Sequence, residues 1–183
     1  MTATYKQQRA WSDSLLGEAR MLVGFCTVSA ASYEDDTERA TDLRWLNTSG
    51  AQSARVACRL RDHSYFERYP DEFTIRTYSN GYETELDKIM SGHGTHMLYG
   101  FRTPDGRHIG AWRFLDLFAF RKWYFRVSPL VLNGRMRVPW SVQDNGDGTK
   151  FHAFRFCDLP SDLVLFRGTG LQVCDNAQLD FPF

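Results

Sequence analysis

The sequence predicts an α/β fold of the α+β kind. We expect a mixed central sheet with a helix–strand–strand–strand–helix–strand core and a C-terminal β-hairpin extension. Three observations carry that expectation. Arg55 to Arg61 alternates with a strict period of two, apolar stripes of helical period occur near residues 11–27 and 82–90, and aromatic residues concentrate after residue 96. A chain of 183 residues that is 43% hydrophobic can bury one sizeable core. Without an internal repeat or a linker, one domain over 1–183 is expected, with the core at 11–101 and the β-rich extension at 102–183.

In chain order, Trp11, Leu15, Ala19, Leu22, Phe25 and Cys26 fall on one stripe at about 100° per residue, which predicts the first helix. Ser29 to Arg39 is polar, with Glu34, Asp35, Asp36 and Glu38, and reads as a loop. Ala40 to Asn47 reads as a strand with Thr41, Leu43 and Trp45 on one face. Thr48-Ser49-Gly50 then makes a turn. In the next strand Val56, Cys58 and Leu60 face one way, and Arg55, Ala57, Arg59 and Arg61 the other. A loop holding Tyr65, Phe66, Tyr69 and Pro70 leads to a third strand, Glu72 to Thr77. Tyr82, Leu86, Ile89 and Met90 stripe a second helix, with Gly92 or Gly94 as its stop. His96 to Phe101 is a fourth strand. Pro104-Asp105-Gly106 is a turn, and Ile109 to Phe120 reads as a nearly all-apolar central strand. Val138 to Val142 and Lys150 to Phe156 flank the turn residues 144–148 as a hairpin.

The formal net charge is zero, with 18 Arg and 4 Lys against 22 acids, so a generic polyanion binder is not indicated. The arginine excess suits bidentate phosphate or carboxylate contacts, and a codon preference explains it equally well. Cys26, Cys58, Cys157 and Cys174 are scattered without a CxxC pair. The start lacks an apolar leader and no 18-residue apolar run occurs. These features predict a cytoplasmic protein that does not enter a membrane.

Glu18 stands inside the first helix's apolar stripe. A carboxylate there needs a cation, a metal or strong donors. The helix acid and the order of elements over roughly 11–101 resemble the PD-(D/E)xK restriction-endonuclease-like superfamily. That resemblance implies a divalent-metal-dependent phosphodiesterase, with Mg²⁺ or Mn²⁺ generating the attacking hydroxide. It implies Glu18 as the helix acid and Asp42, or else Asp36, as the first hairpin acid. Where the acid-x-Lys should follow, this chain has Ala57-Cys58-Arg59. Either Arg59 replaces the lysine while Asp71 or Glu72 supplies the acid, or the pair has moved to Glu85 and Lys88. On this reading Glu18, Asp42 and Glu72 hold the metal, and Glu18, Asp42, Lys88 and Arg59 are catalytic. A solvated helix face is the plainer account of Glu85 and Lys88, and a nuclease-like fold without catalysis fits as well.

Arg55, Arg59, Arg61 and Arg76 form a row suited to phosphates, with Tyr65, Tyr69 and Tyr78 nearby to stack on bases. Two structural readings compete: a solvent-facing surface balanced by Asp62, Glu67 and Glu72, or pairing of Arg59 or Arg61 with Glu18 and Asp42. Asp116, within an apolar run, is expected to bond backbone groups or pair with Arg113 or Arg121. His93 and His96 lack the context of a zinc site, and the run from Asp144 to Gly148 lacks the calcium-loop order. Nucleic acid is the first expected partner. The alternative is a non-catalytic binding protein that docks on a host protein through Phe118, Phe120, Trp123, Tyr124 and Phe125. The small size and degraded motif resemble accessory or inhibitor proteins carried by bacteriophages. A homodimer through residues 108–125 is the third expectation.

Overall fold

The computed structural model describes residue 10 and residues 13–22, 27–32, 42–46 and 53–173. In chain order these form α1 (Leu16–Leu22), β1 (Thr27–Ala30), β2 (Leu43–Leu46), β3 (Ser53–Arg61), α2 (His63–Arg68), β4 (Glu72–Ser79) and α3 (Glu85–Met90). They continue as β5 (His96–Arg102), β6 (Ile109–Asp116), α4 (Leu117–Leu132), β7 (Trp140–Asp144), β8 (Thr149–Arg155), β9 (Val164–Thr169) and β10 (Gln172–Val173). The class is α+β, as expected. Among the described residues, a mixed seven-stranded sheet runs β1-β2-β3-β5-β6-β9-β10, and an antiparallel three-stranded sheet runs β4-β8-β7.

The parallel pair in the larger sheet is β3 with β5, in register from Val56–His96 to Arg61–Phe101. Parallel neighbours need a crossover connection, and α2, β4 and α3 supply it. The crossover takes β4, the expected third strand, out of the main sheet to pair with β8. The two expected segments therefore interleave. β4 joins the hairpin β7–β8, whereas β6 and β9 extend the sheet begun by β1, β2 and β3. The hairpin itself lies where its turn residues put it.

The core fills both faces of β5, whose Met97, Leu98, Tyr99 and Phe101 are all buried. On one face, Leu15 and Ala19 of the first helical segment pack with Val56, Leu60, Leu98, Trp112 and Phe114. On the other, Tyr99 and Phe101 meet Phe73 and Ile75 of β4, Phe154 of β8, and Phe120 and Trp123 of α4. Phe73 stacks on Phe154 at 5.1 Å between ring centroids. Burying each such aromatic contributes about 1.5–3 kcal/mol, so this cluster is what holds the second sheet to the first.

Four local elements differ from the sequence reading. Thr27–Ala30, read there as the end of the helix and the start of a loop, is an edge strand paired with β2. It is too short to show an alternation, and the partner strand determines its state. His63–Arg68, read as loop, is a helix capped by Asp62, which accepts from the Ser64 amide at 3.0 Å. The long apolar run breaks at Asp116. Its Oδ1 accepts the Phe118 and Ala119 amides at 2.7 and 3.1 Å and starts α4, which buries Leu117, Phe120, Trp123 and Val127. The expected helix near Tyr82 begins at Glu85, where Thr84 and Asp87 close a capping box. No helix among the described residues is long and apolar enough to cross a membrane.

Candidate nucleic-acid interface

Alternation along β3 places Arg55, Arg59 and Arg61 on the sheet face that looks toward the second sheet. They do not share one task. Arg55 donates to the Gly92 carbonyl at 3.1 Å, and its amide bonds Thr95 Oγ1 at 2.9 Å, so it fastens the α3–β5 turn. Arg121 reaches the same turn through the Ile89 and Gly94 carbonyls at 3.3 and 3.1 Å. Arg61 points instead into a cleft bounded by β3, α2 and the outward face of β4 and β8, and Arg59 lies against the Phe151 ring of its wall. The cleft encloses about 170 Å³, and its walls include Arg61, Tyr65, Tyr69, Thr74 and Phe151.

Rings and guanidinium groups alternate along this cleft. Arg68 lies over Tyr69 at 5.7 Å and over Tyr65 at 5.1 Å. Arg61 lies over Tyr65 at 4.8 Å and Phe151 at 5.7 Å. Arg59 and Arg76 lie over Phe151 at 5.4 and 5.5 Å. Four cations and three rings thus make one continuous cation–π series. β8 sets it up by turning Phe151 to the cleft while Phe154 goes to the core. α2 sets up the other end, since Tyr65, Arg68 and Tyr69 are three and four residues apart.

The charges in this series are unevenly matched. Arg59 is ion-paired with Glu85, and each side chain keeps 18% exposure. Glu85 also accepts the Arg76 amide at 3.1 Å. Arg61 has hydroxyls and rings but, among the described residues, no carboxylate partner: it donates to Thr74 Oγ1 at 2.6 Å and bonds the Tyr99 hydroxyl. The Nε atoms of Arg59 and Arg61 are buried without a hydrogen-bond partner. Burial, then the neighbouring Arg59, lowers the Arg61 pKa from its ordinary value. Burial also pulls on Arg59, but Glu85 and the tyrosines outweigh it and leave its pKa raised. A guanidinium does not surrender its proton near neutrality, so Arg61 keeps its charge in the cleft. Glu72 also borders the cleft, beside Arg61 and Arg68, and Asp147 acts on Arg76.

The residues expected around a metal are elsewhere. Glu18 is 12% exposed on α1, and its Oε2 lies 3.5 Å from Nδ1 of the His108 imidazole. Asp42 accepts the Cys58 amide at 2.6 Å and bridges β2 to β3. Burial, with Asp42 adding to it, keeps the Cys58 thiol well above its ordinary pKa. Glu72 is on β4 in the other sheet, and Asp71 bonds Cys157. Lys88 sits in the last turn of α3, while Glu85 is turned to Arg59. Asp36 lies outside the described residues. Among the described residues, no three His, Cys, Asp or Glu side chains are placed to hold a metal ion. The expected set of Glu18, Asp42 and Glu72 is therefore not assembled, and these residues do not fit Mg²⁺ or Mn²⁺ as a group.

The expected pairing of Arg59 or Arg61 with Glu18 and Asp42 is replaced by Arg59–Glu85 and Glu18–His108. Of the expected row, Arg59, Arg61 and Arg76 converge, and Arg55 is used for the turn. Arg68 and Phe151 are additions. Arg68 was legible only if 63–68 were read as a helix, and Phe151 only if the second sheet were folded back onto β3. The aromatic run 118–125 is split by helical period: Phe120 and Trp123 are in the core, and Phe118 and Phe125 are exposed. Comparison with family models, curated proteins and solved structures gives no match.

Proposed function

We propose that this chain binds nucleic acid through the arginine–aromatic cleft, as a binding protein rather than as a metal-dependent phosphodiesterase. The observation that supports it is the convergence of Arg59, Arg61 and Arg76 on Phe151, opposed there by Glu85. Guanidinium groups take phosphate in a bidentate way, and a locally basic cleft can do this on a chain of zero net charge. Each phosphate neutralised releases counterions, so affinity falls steeply with salt. The absence of an assembled carboxylate group among the described residues favours binding over cleavage.

The reading is tested by electrophoretic mobility shift with generic oligonucleotides from 20 to 200 mM salt, alongside incubation with Mg²⁺ or Mn²⁺. Salt-sensitive retardation without shortening of the strands is the expected result. Arg76→Ala should weaken binding and lower the salt slope by about one phosphate equivalent. No retardation at the lowest salt would sink the proposal, and strand shortening that needs metal would restore the phosphodiesterase.

A second reading has its own support. A larger cleft of about 620 Å³ lies beside the edge strand β7, with Met136, Val138, Pro139 and Trp140 in its wall. Exposed apolar groups next to a strand edge with no partner strand among the described residues suit a protein partner. A stable complex recovered by pull-down and lost on Val138→Glu would support a host-protein partner.

A further inference from the structure

We propose that the cleft is a site for single-stranded nucleic acid that takes one unpaired nucleotide at a time: the base stacks at the Tyr65–Arg68–Tyr69 end and the phosphate meets Arg61. This deepens the nucleic-acid reading and rests on it. The argument begins with access. Arg59 and Arg61 are recessed, with buried Nε atoms, so a ligand must push a group into the cleft to reach their outer nitrogens. Phosphates on a duplex are held on a rigid surface with the bases paired inside. A single strand can splay one base and bring its phosphate inward.

The cleft's contents match that demand. A space of about 170 Å³ between ring-bearing walls has room for one flat base. Tyr65 and Tyr69 keep 39% and 46% of their surface exposed, so the series ends in solvent-facing rings. Unpaired bases stack on aromatic faces and on guanidinium planes alike, and this series offers both in alternation. Arg61 lies between the Tyr65 and Phe151 rings with no carboxylate partner among the described residues, so an incoming phosphate meets an uncompensated cation there. Gln143 and Asn145, at the cleft rim, add side-chain amides that can bond a base edge without selecting one base.

Fluorescence anisotropy tests this with three labelled probes of equal phosphate number: a thymidine 12-mer, the same strand with abasic sites, and a hairpin duplex. The single strand should bind at least about tenfold tighter than either of the others. Tyr69→Leu should weaken the single strand by about 5- to 150-fold, the range for losing one base–aromatic stack. The same variant should leave the duplex unchanged. Tyr69 is half exposed, so this variant should keep the fold, and the abasic probe reads the same stacking in the unaltered protein. Equal binding of all three probes, unchanged by Tyr69→Leu, overturns the single-nucleotide site while the nucleic-acid reading stands. Failure of every probe to bind at low salt overturns both.

Discussion

Glu85 on α3 is ion-paired with Arg59 on β3 and also holds the Arg76 amide of β4 at 3.1 Å. One carboxylate thus ties the crossover helix to both sheets. It is also the anion already on Arg59, next to Arg61, where an incoming phosphate would bring a second negative charge. Structure and binding meet at this residue, with opposite demands.

Replacing it separates the two. Glu85→Gln keeps an acceptor for the Arg76 amide and removes the charge facing Arg59. Stripping one member from a mostly buried pair costs about 3–5 kcal/mol when nothing replaces it. With the amide still bonding, we expect about 1–3 kcal/mol. For a chain of this size that corresponds to a fall of roughly 2–12 °C in thermal midpoint. The same change should tighten single-strand binding several-fold and steepen its salt dependence. A variant with unchanged midpoint and unchanged affinity would show that Glu85 does neither job.

Asp116 gives a prediction independent of function. It ends β6 and caps α4 through the Phe118 and Ala119 amides. Asp116→Ala should lose about 0.5–2 kcal/mol, and Asp116→Asn much less, since an amide oxygen also caps. Denaturant unfolding of both variants checks it. If Asn proves as damaging as Ala, the charge beside Arg121 matters more than the cap.

These residues show where sequence reasoning reaches and where it stops. The alternation of Arg55 to Arg61 was legible because one face of β3 is apolar throughout, and period-two patterns survive any topology. The role of Asp116 in bonding backbone was legible because a carboxylate in an apolar run has few other choices. The helix that follows it was not, since a run apolar on every side carries no period to read. The exit of β4 from the main sheet was hidden for another reason. Its alternation is the same in either sheet, and only packing of Phe73 on Phe154 distinguishes them. Glu18 was read as a carboxylate needing a partner, and the group beside it is the His108 ring on the β5–β6 turn, about ninety residues away. Nothing local marks His108 for that position.

Two histidines predict how stability follows pH. Burial lowers the pKa of His96 from its ordinary 6.5; Arg121 pushes the same way and Asp116 opposes. Burial alone lowers His152, whose Nδ1 is buried without a partner while its ring stacks on Trp140 at 5.2 Å. In the unfolded chain both rings take up protons near pH 6.5, before the folded protein does. Stability from them is therefore complete above about pH 6.5 and declines as pH falls below it, until each passes its folded pKa. His152→Phe keeps the stacked ring and removes one titration. Thermal midpoints from pH 8 to 5 should drop less in the variant than in the parent. Parallel curves would count against His152 as a contributor.

Two glycines predict opposite signs for the same substitution. Gly168 lies on β9 opposite Trp112 of β6. A Cβ there would strike the Gln172 carbonyl and would lie 2.6 Å from Trp112 Cζ2. The indole cannot yield, because it is 2% exposed and its Nε1 donates to the Gly170 carbonyl at 2.8 Å. β10 must then move off its neighbour, and Gly168→Ala should cost about 1–3 kcal/mol or more, the range for overfilled cores. Gly17 is on α1, where a Cβ meets nothing within 4 Å. Alanine there lowers the entropy of the unfolded chain and should gain about 0.5–1 kcal/mol. Urea unfolding of the pair makes the comparison internal, since both add one methyl group. If Gly168→Ala were as harmless as Gly17→Ala, the close approach of β10 to the Trp112 ring would be absent in solution.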